Sequence, residues 1–202
     1  MLDTISQRRL WVMFLVLGGL VAWVMVQVEL PMLMGWNPAW DARIDSYRVL
    51  LHVHATAGSA ALFVAPLQLL PFRRIRRLHR PLGYAYLLAI CVGAPTAIWI
   101  ALDHMSGAEQ WLTCAQAVAW LYATVVAVVA IVQRRVDMHR IWITRSYALT
   151  YTFILSRLAI DVLHYRPGPE IGGNPGFILL SSLLVLILAD LFSIKRRRWS
   201  PA

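Results

Sequence analysis

The chain has 202 residues, of which 59% are hydrophobic and 14% charged, and it carries a net charge of +9. Mean hydropathy is +0.62, and apolar runs of about 20 residues recur along the sequence, so it reads as a polytopic membrane protein. A soluble enzyme is excluded, and nucleic acid is not the expected partner: the basic residues fall between the apolar runs, where they mark topology.

The pattern predicts an all-α integral membrane bundle, a single domain over residues 1–202, with six transmembrane helices at about 10–28, 47–72, 81–102, 111–132, 139–163 and 176–194. With the N-terminus inside, fourteen of the nineteen basic residues lie on inner segments: Arg8 and Arg9, five between Arg73 and Arg80, three between Arg134 and Arg140, and Lys195 to Arg198. Outer segments hold only Arg43, Arg48 and Arg166, while Arg145 and Arg157 sit within the fifth span. Both termini are therefore expected in the cytoplasm. Trp11, Trp142 and Trp199 fall at the inner interface and Trp36, Trp40, Trp99 and Trp111 at the outer one, as aromatic belts. Trp23 and Trp120 are expected deeper.

The first span follows two arginines but is longer than a signal-peptide core and lacks a small-x-small cleavage site, so a retained helix is expected. Residues 30–46, rich in Pro, Gly and Trp, read as a loop in the outer interface that could act as a lid. Ser46 is a candidate N-cap for the second span. His52 and His54 follow it; two positions apart on a helix they diverge by about 200°, so one faces inward, and His54 is chosen. Gly58, Ala61, Ala65 and Gln68 continue its stripe, which allows close helix packing or room for a flat cofactor. Pro66 is positioned to kink this helix.

Before the third span, Pro81 at a first helical position leaves His79 and Arg80 just outside the helix. The arginines around them read as topology determinants and as contacts to anionic lipid at the inner face. The His-Arg pair recurs at His139 and Arg140, which suggests that spans two-three and four-five are duplicated hairpins. Span four has Gln116, Tyr122 and Thr124 as its polar points, and Asp190 in span six can reach the Lys195 to Arg198 cluster. Cys91 and Cys114 read as buried inert thiols.

The fifth span organises the chain. His139 and His164 are 25 residues apart, which on an α-helix places them within about 20° of one face and roughly 37 Å apart, one at each surface of a ~30 Å core. Ser146, Thr150, Phe153 and Arg157 continue that face, which is too polar to meet lipid and should point inward. Neutral imidazole can ligate haem iron, and helix bundles build such sites from facing helices. The histidines thus suggest b-type haem, with His54 and His164 as an outer iron-ligand pair and His79 and His139 as an inner pair. Arg157, Arg145, Arg80 and Arg140 are the candidate partners for its propionates. For each histidine the plainer alternative is a hydrogen bond to headgroups or loop backbone, and Arg157 could simply pair with Asp161 one turn away.

H-A-x-x-G at His54 to Gly58, A-P-L-Q at Ala65 to Gln68, H-R-x-x-G-Y at His79 to Tyr84 and H-R-x-W-x-x-R-S-Y-A-L at His139 to Leu149 occur in order. Together they resemble a bacterial family of predicted membrane proteins of unknown function, over about residues 50–160. The departures are Ala65, where Gly is expected, and Ile143, where Met is expected. The resemblance implies a multi-pass fold in the bacterial plasma membrane and supplies no activity. At fold level alone, the His-Arg helix is similar to one in a family associated with cytochrome oxidase maturation, and the histidine-bearing core is similar to b561-type cytochromes.

Three functional classes follow: a haem protein transferring electrons; a non-catalytic accessory or assembly subunit of a respiratory complex, packing its polar stripe on a membrane partner; and a transporter or proton relay using His164, Asp161, Arg157 and Tyr151. No acidic residue is expected deep in a span, Asp161 lying near an outer end, which argues against an ion-coupled cycle.

Overall fold

The computed structural model describes residues 12, 15, 16, 18–36, 44–69, 73–168 and 173–198, with side chains described to residue 191 and not for 69 and 73–76. Trp11, Trp40, Arg43 and Trp199, and the middle of the 30–46 segment, lie outside these residues. Every regular element among the described residues is helical. Helix α1 is Gly18–Leu33, interrupted by a π-turn at Met25–Glu29. Then come α2 (Arg48–Leu69), α3 (Arg73–His104), α4 (Gly107–Val132), α5 (Val136–Arg157, followed by a second π-turn, Leu158–Val162) and α6 (Gly173–Arg198).

Among the described residues, four segments are long and apolar enough to cross a membrane: Asp45–Gln68, Arg77–His104, Gly107–Val132 and Gly173–Leu191. Helix α5 has the length but is too polar, with Asp137, Arg140, Arg145 and Arg157 among its residues. It is nonetheless central, packing on α2, α4 and α6. Consecutive helices α2 to α6 pack as antiparallel neighbours. One end of the bundle therefore collects Leu69, Arg73, Val132 and Val136, the arginine-rich end; the other collects Arg48, His104, Gly107 and Gly173.

Alanine makes the close packing possible. Ala61 and Ala65 of α2, Ala89 and Ala94 of α3 and Ala117 of α4 are buried around Tyr86 and Tyr147, and such small side chains let helix backbones approach. The outward surface is itself apolar, with Leu88, Val118, Leu184 and Ile187 all more than half exposed, as contact with lipid requires. Cys91 is on this outward surface and Cys114 is half-buried, so neither is the fully buried thiol expected; a thiol is apolar enough to face lipid.

Four boundary expectations change. Helix α1 runs through Pro31 to Leu33, because proline is tolerated in the first turn after the π-turn. Ser46 lies inside a 3₁₀ turn, Asp45–Tyr47, and not ahead of the helix. His79 and Arg80 are inside α3, which begins at Arg73 and passes through Pro81; the N–H missing at Pro81 falls at the exposed end of the helix, where water can serve the orphaned carbonyl. His164 is beyond the end of α5 in a left-handed conformation, φ +53. The π-turn at Leu158–Val162 holds an extra residue per turn, so the α-helical spacing from His139 does not extend to His164.

Candidate functional site

The inward stripe of α5 is present as expected. Ser146 and Thr150, one turn apart, are buried and meet Tyr86 of α3: its hydroxyl lies 2.8 Å from Ser146 Oγ and 2.9 Å from Thr150 Oγ1. Thr124 of α4 is 2.7 Å from Ser146 Oγ, and Trp120 Nε1 donates to Thr150 Oγ1 at 2.9 Å. The donor order follows from one proton per hydroxyl. Thr124 donates to the Trp120 carbonyl at 2.9 Å, so Ser146 must donate to Thr124, Tyr86 to Ser146, and Thr150 to Tyr86, a proton Thr150 shares with the Ser146 carbonyl at 3.0 Å. The chain of hydroxyls starts at the Trp120 indole and returns to the Trp120 backbone. It ties α3, α4 and α5 together with each buried hydroxyl satisfied. Trp120 thus lies inside the bundle as expected, whereas Trp23 is 46% exposed on the outward surface.

Trp120 and Thr150 also form the floor of an interior cavity of about 170 Å³ that extends toward the His104 end. Its walls come from five helices and are mainly small or apolar, Gly58 and Ala97 among them; His54, Thr113, Gln116 and Ser156 add polar atoms. A Cβ placed on Gly58 meets nothing within 4 Å. The α2 stripe therefore does both things that small residues allow: Ala61 and Ala65 pack, and Gly58 leaves room.

His54 enters this cavity with its tautomer determined. Its Nδ1 lies 2.9 Å from the carbonyl of Gly93 on α3; a carbonyl only accepts, so Nδ1 carries the proton and Nε2 is left as an acceptor. The same carbonyl also accepts from Thr96 Oγ1 at 3.0 Å, a proton shared with the Val92 carbonyl at 2.8 Å. Gly93 has no side chain to keep α2 and Trp120 away: a Cβ there would sit 3.4 Å from the indole and 3.6 Å from Ala57 Cβ.

The other predicted site residues are dispersed. His164 is exposed and lines a separate cavity of about 280 Å³ with Gln27, Asp161 and Arg166, so it does not form an outer pair with His54. The reason is the π-turn, which ends α5 before His164. His79 and His139 are at the same end of the bundle. His139 Nδ1 donates to the Ala127 carbonyl at 2.8 Å, and the His79 carbonyl accepts from Gln68 Nε2 at 3.1 Å. Arg145 and Arg157 of α5 are each engaged by carboxylates of other turns or helices. Arg145 forms a two-pronged pair with Asp190 at 2.7 and 3.0 Å and stacks over Trp142, so Asp190 meets Arg145, not only the basic cluster beyond it. Arg157 meets Asp161 at 3.0 Å and Glu29 at 3.1 Å. Arg80 and Arg140 are exposed, Arg140 lying 3.7 Å from Asp137.

A family profile described as "Predicted membrane protein (DUF2306)" matches residues 51–194. The chain belongs to this family. No curated protein matches the chain, and no solved structure does. The DUF2306 assignment makes it a membrane protein, in agreement with the apolar helices. The motifs that pointed to this family meet in space: His54 and Gly58 line the cavity, Gln68 holds the His79 segment and packs beside Gly83, and the Arg-Ser-Tyr run supplies Arg145, Ser146 and Tyr147. Tyr147 packs edge-on against Tyr86, with ring centres 4.9 Å apart.

Sequence reasoning missed Tyr86, Gly93 and Glu29. Tyr86 differs little in sequence from Tyr84, which is 72% exposed; only the third helix's rotation separates them. Glu29 had a readable signal, an acid at the end of an apolar run, but was placed at the loop border. It is buried, and it shares Arg157 with Asp161 at the His104 end of the bundle.

Proposed function

We propose that this is a six-span protein of the bacterial plasma membrane, with both termini cytoplasmic, whose interior cavity binds the ring headgroup of a hydroxylated, membrane-dissolved aromatic of the quinol class. The observation that carries this reading is His54, held by Gly93 so that Nε2 faces its surroundings as an acceptor. A ligand that satisfies it must bring an O–H donor. Ser156 makes the same demand, because its own proton goes to the Phe153 carbonyl at 2.9 Å. The cavity's volume of about 170 Å³ suits one ring, since a cavity of roughly 150 Å³ holds benzene. Its location among lipid-length helices favours a ligand drawn from the bilayer.

Isothermal titration of detergent-purified protein with a short-tailed hydroquinone tests this. One-site binding is expected, at least tenfold weaker for His54→Ala and abolished by Gly58→Leu, which fills the cavity. The dimethyl ether of the same hydroquinone, lacking donors, should bind about tenfold or more weakly, as leaving a buried acceptor unpaired costs about 1–3 kcal/mol. Equal affinity of ether and hydroquinone would overturn the proposal.

A b-type haem is the second reading, and one observation favours it: His54 and His139 each hold Nδ1 on a backbone carbonyl, as iron- and zinc-binding histidines commonly do. A porphyrin does not fit the His54 cavity as it stands, and its usual arginine partners are held by Glu29, Asp161 and Asp190. A reduced-minus-oxidised visible spectrum of protein expressed with haem supply decides: sharp α bands lost in His54→Ala or His139→Ala would establish haem in place of the quinol headgroup.

A further inference from the structure

Glu29 lies on the π-turn of α1, which abuts the π-turn that ends α5. π-turns inside helices occur disproportionately at functional sites, and here two of them frame one buried acid. Glu29 is 1% exposed; Arg157 lies 3.1 Å from Oε1, and among the described residues the buried Oε2 has no hydrogen-bond partner. The same guanidinium is also bound to Asp161 at 3.0 Å. Two carboxylates therefore converge on one guanidinium. Beyond Asp161, a cavity of about 280 Å³, lined by Gln27, Asp161, His164 and Arg166, lies on the side of the bundle that holds the His104 end.

We propose that Glu29, Arg157 and Asp161 form a proton-binding site, loaded from the aqueous side through the Asp161 cavity, with the proton residing on Glu29 Oε2. With both acids ionised the triad carries one excess negative charge in a place where an unbalanced charge is costly. Binding a proton makes it neutral: water in the cavity gives up H⁺, an O–H bond forms at Oε2, and release reverses the step. Asp161, partly exposed, is the relay between cavity and buried acid. A metal cation is the poorer occupant, since Ca²⁺-type ions need six or more oxygen ligands and, among the described residues, no group of three or more His, Cys, Asp or Glu side chains is placed to hold a metal. Among the described residues, the charged and titratable groups facing Glu29 are Arg157 and Asp161, with His164 and Arg166 across the cavity and His54 on α2 near Arg157. The triad titrates as a unit. This site is independent of what occupies the His54 cavity.

Infrared difference spectroscopy of the full-length protein in liposomes, stepped between pH 5 and pH 9 (about the range in which carboxyl groups shifted by burial titrate), reads the site directly. A carboxylic C=O stretch that appears on acidification is expected in the wild type and in His54→Ala, and is expected to be missing in Glu29→Gln, a neutral isostere that keeps the shape. Asp161→Asn should slow its appearance several-fold, as loss of the relay requires. The same band at full size in Glu29→Gln, with size-exclusion profiles showing all variants folded, overturns the proposal. So does a Glu29-dependent uptake of ²²Na⁺ that displaces the band, which would make the site a sodium site.

Discussion

Tyr86 and Ser146, separated by sixty positions, place two buried hydroxyl oxygens 2.8 Å apart at the junction of the third and fifth helices. Removing the Tyr86 hydroxyl breaks the order of donors from Thr150 to Thr124. Tyr86→Phe should lower stability by about 1–3 kcal/mol, the cost of leaving buried partners unpaired. Ser146→Ala should cost a similar amount, and the double variant less than the sum, because both act on one network. Reversible denaturation in detergent micelles measures the coupling; strict additivity would show that the hydroxyls act independently.

Arg145 and Asp190 join the fifth and sixth helices through two charge-assisted hydrogen bonds. Asp190→Ala leaves the guanidinium without its partner in a partly buried place. A loss of about 2–4 kcal/mol is expected, near the lower part of the range for breaking such pairs because the side chains are 29% and 42% exposed. Replacing both, Arg145→Met with Asp190→Leu, should recover most of it. Thermal unfolding monitored by circular dichroism distinguishes this from a pair that contributes nothing.

Gly93 stands where three parts of the bundle meet. An added Cβ would lie in ordinary contact with Trp120 and Ala57, so Gly93→Ala should be tolerated within about 1 kcal/mol. Gly93→Leu cannot be accommodated without pushing Trp120 aside, and a loss of about 3 kcal/mol or more is expected from overpacking. His54 would lose its carbonyl partner in the same step. Nitrogen-15 NMR of labelled histidine, comparing the protonation of Nδ1 in the wild type and the variants, reports on that contact.

Arg157 balances two carboxylates. Arg157→Leu leaves Glu29 buried beside Asp161, and a destabilisation of about 3–5 kcal/mol follows from an uncompensated buried charge. Adding Glu29→Gln to Arg157→Leu should restore at least half of that loss. Denaturation midpoints of the single and double variants check it; a double variant no better than the single would place the cost elsewhere.

Much of this protein was determined by composition and periodicity alone. Apolar runs of bilayer length define helices, because in lipid the backbone has no other way to satisfy its polar groups within one segment. The inward face of the fifth helix was legible for the same reason: Ser146, Thr150 and Arg157 are unwelcome in lipid and recur at helical spacing, so they had to turn toward other helices. Local chemistry likewise offered the Arg157–Asp161 pair, four residues apart.

What a sequence cannot show is where a helix stops being α-helical and which distant carbonyl a side chain finds. One π-turn removed His164 from the face it was assigned, since periodicity assumes a constant turn. Tyr86 and Tyr84 were indistinguishable until the rotation of α3 buried one and exposed the other. The partners of Arg145 and Arg157, Asp190 and Glu29, come from helices 45 positions ahead and 128 positions behind; only the packing of α5 against α6 and of the two π-turns against each other made those acids available. Tertiary structure decided the site because its deciding contacts, His54 to Gly93, Tyr86 to Ser146 and Arg157 to Glu29, join different helices, and pairings of that kind leave no periodic trace in the chain.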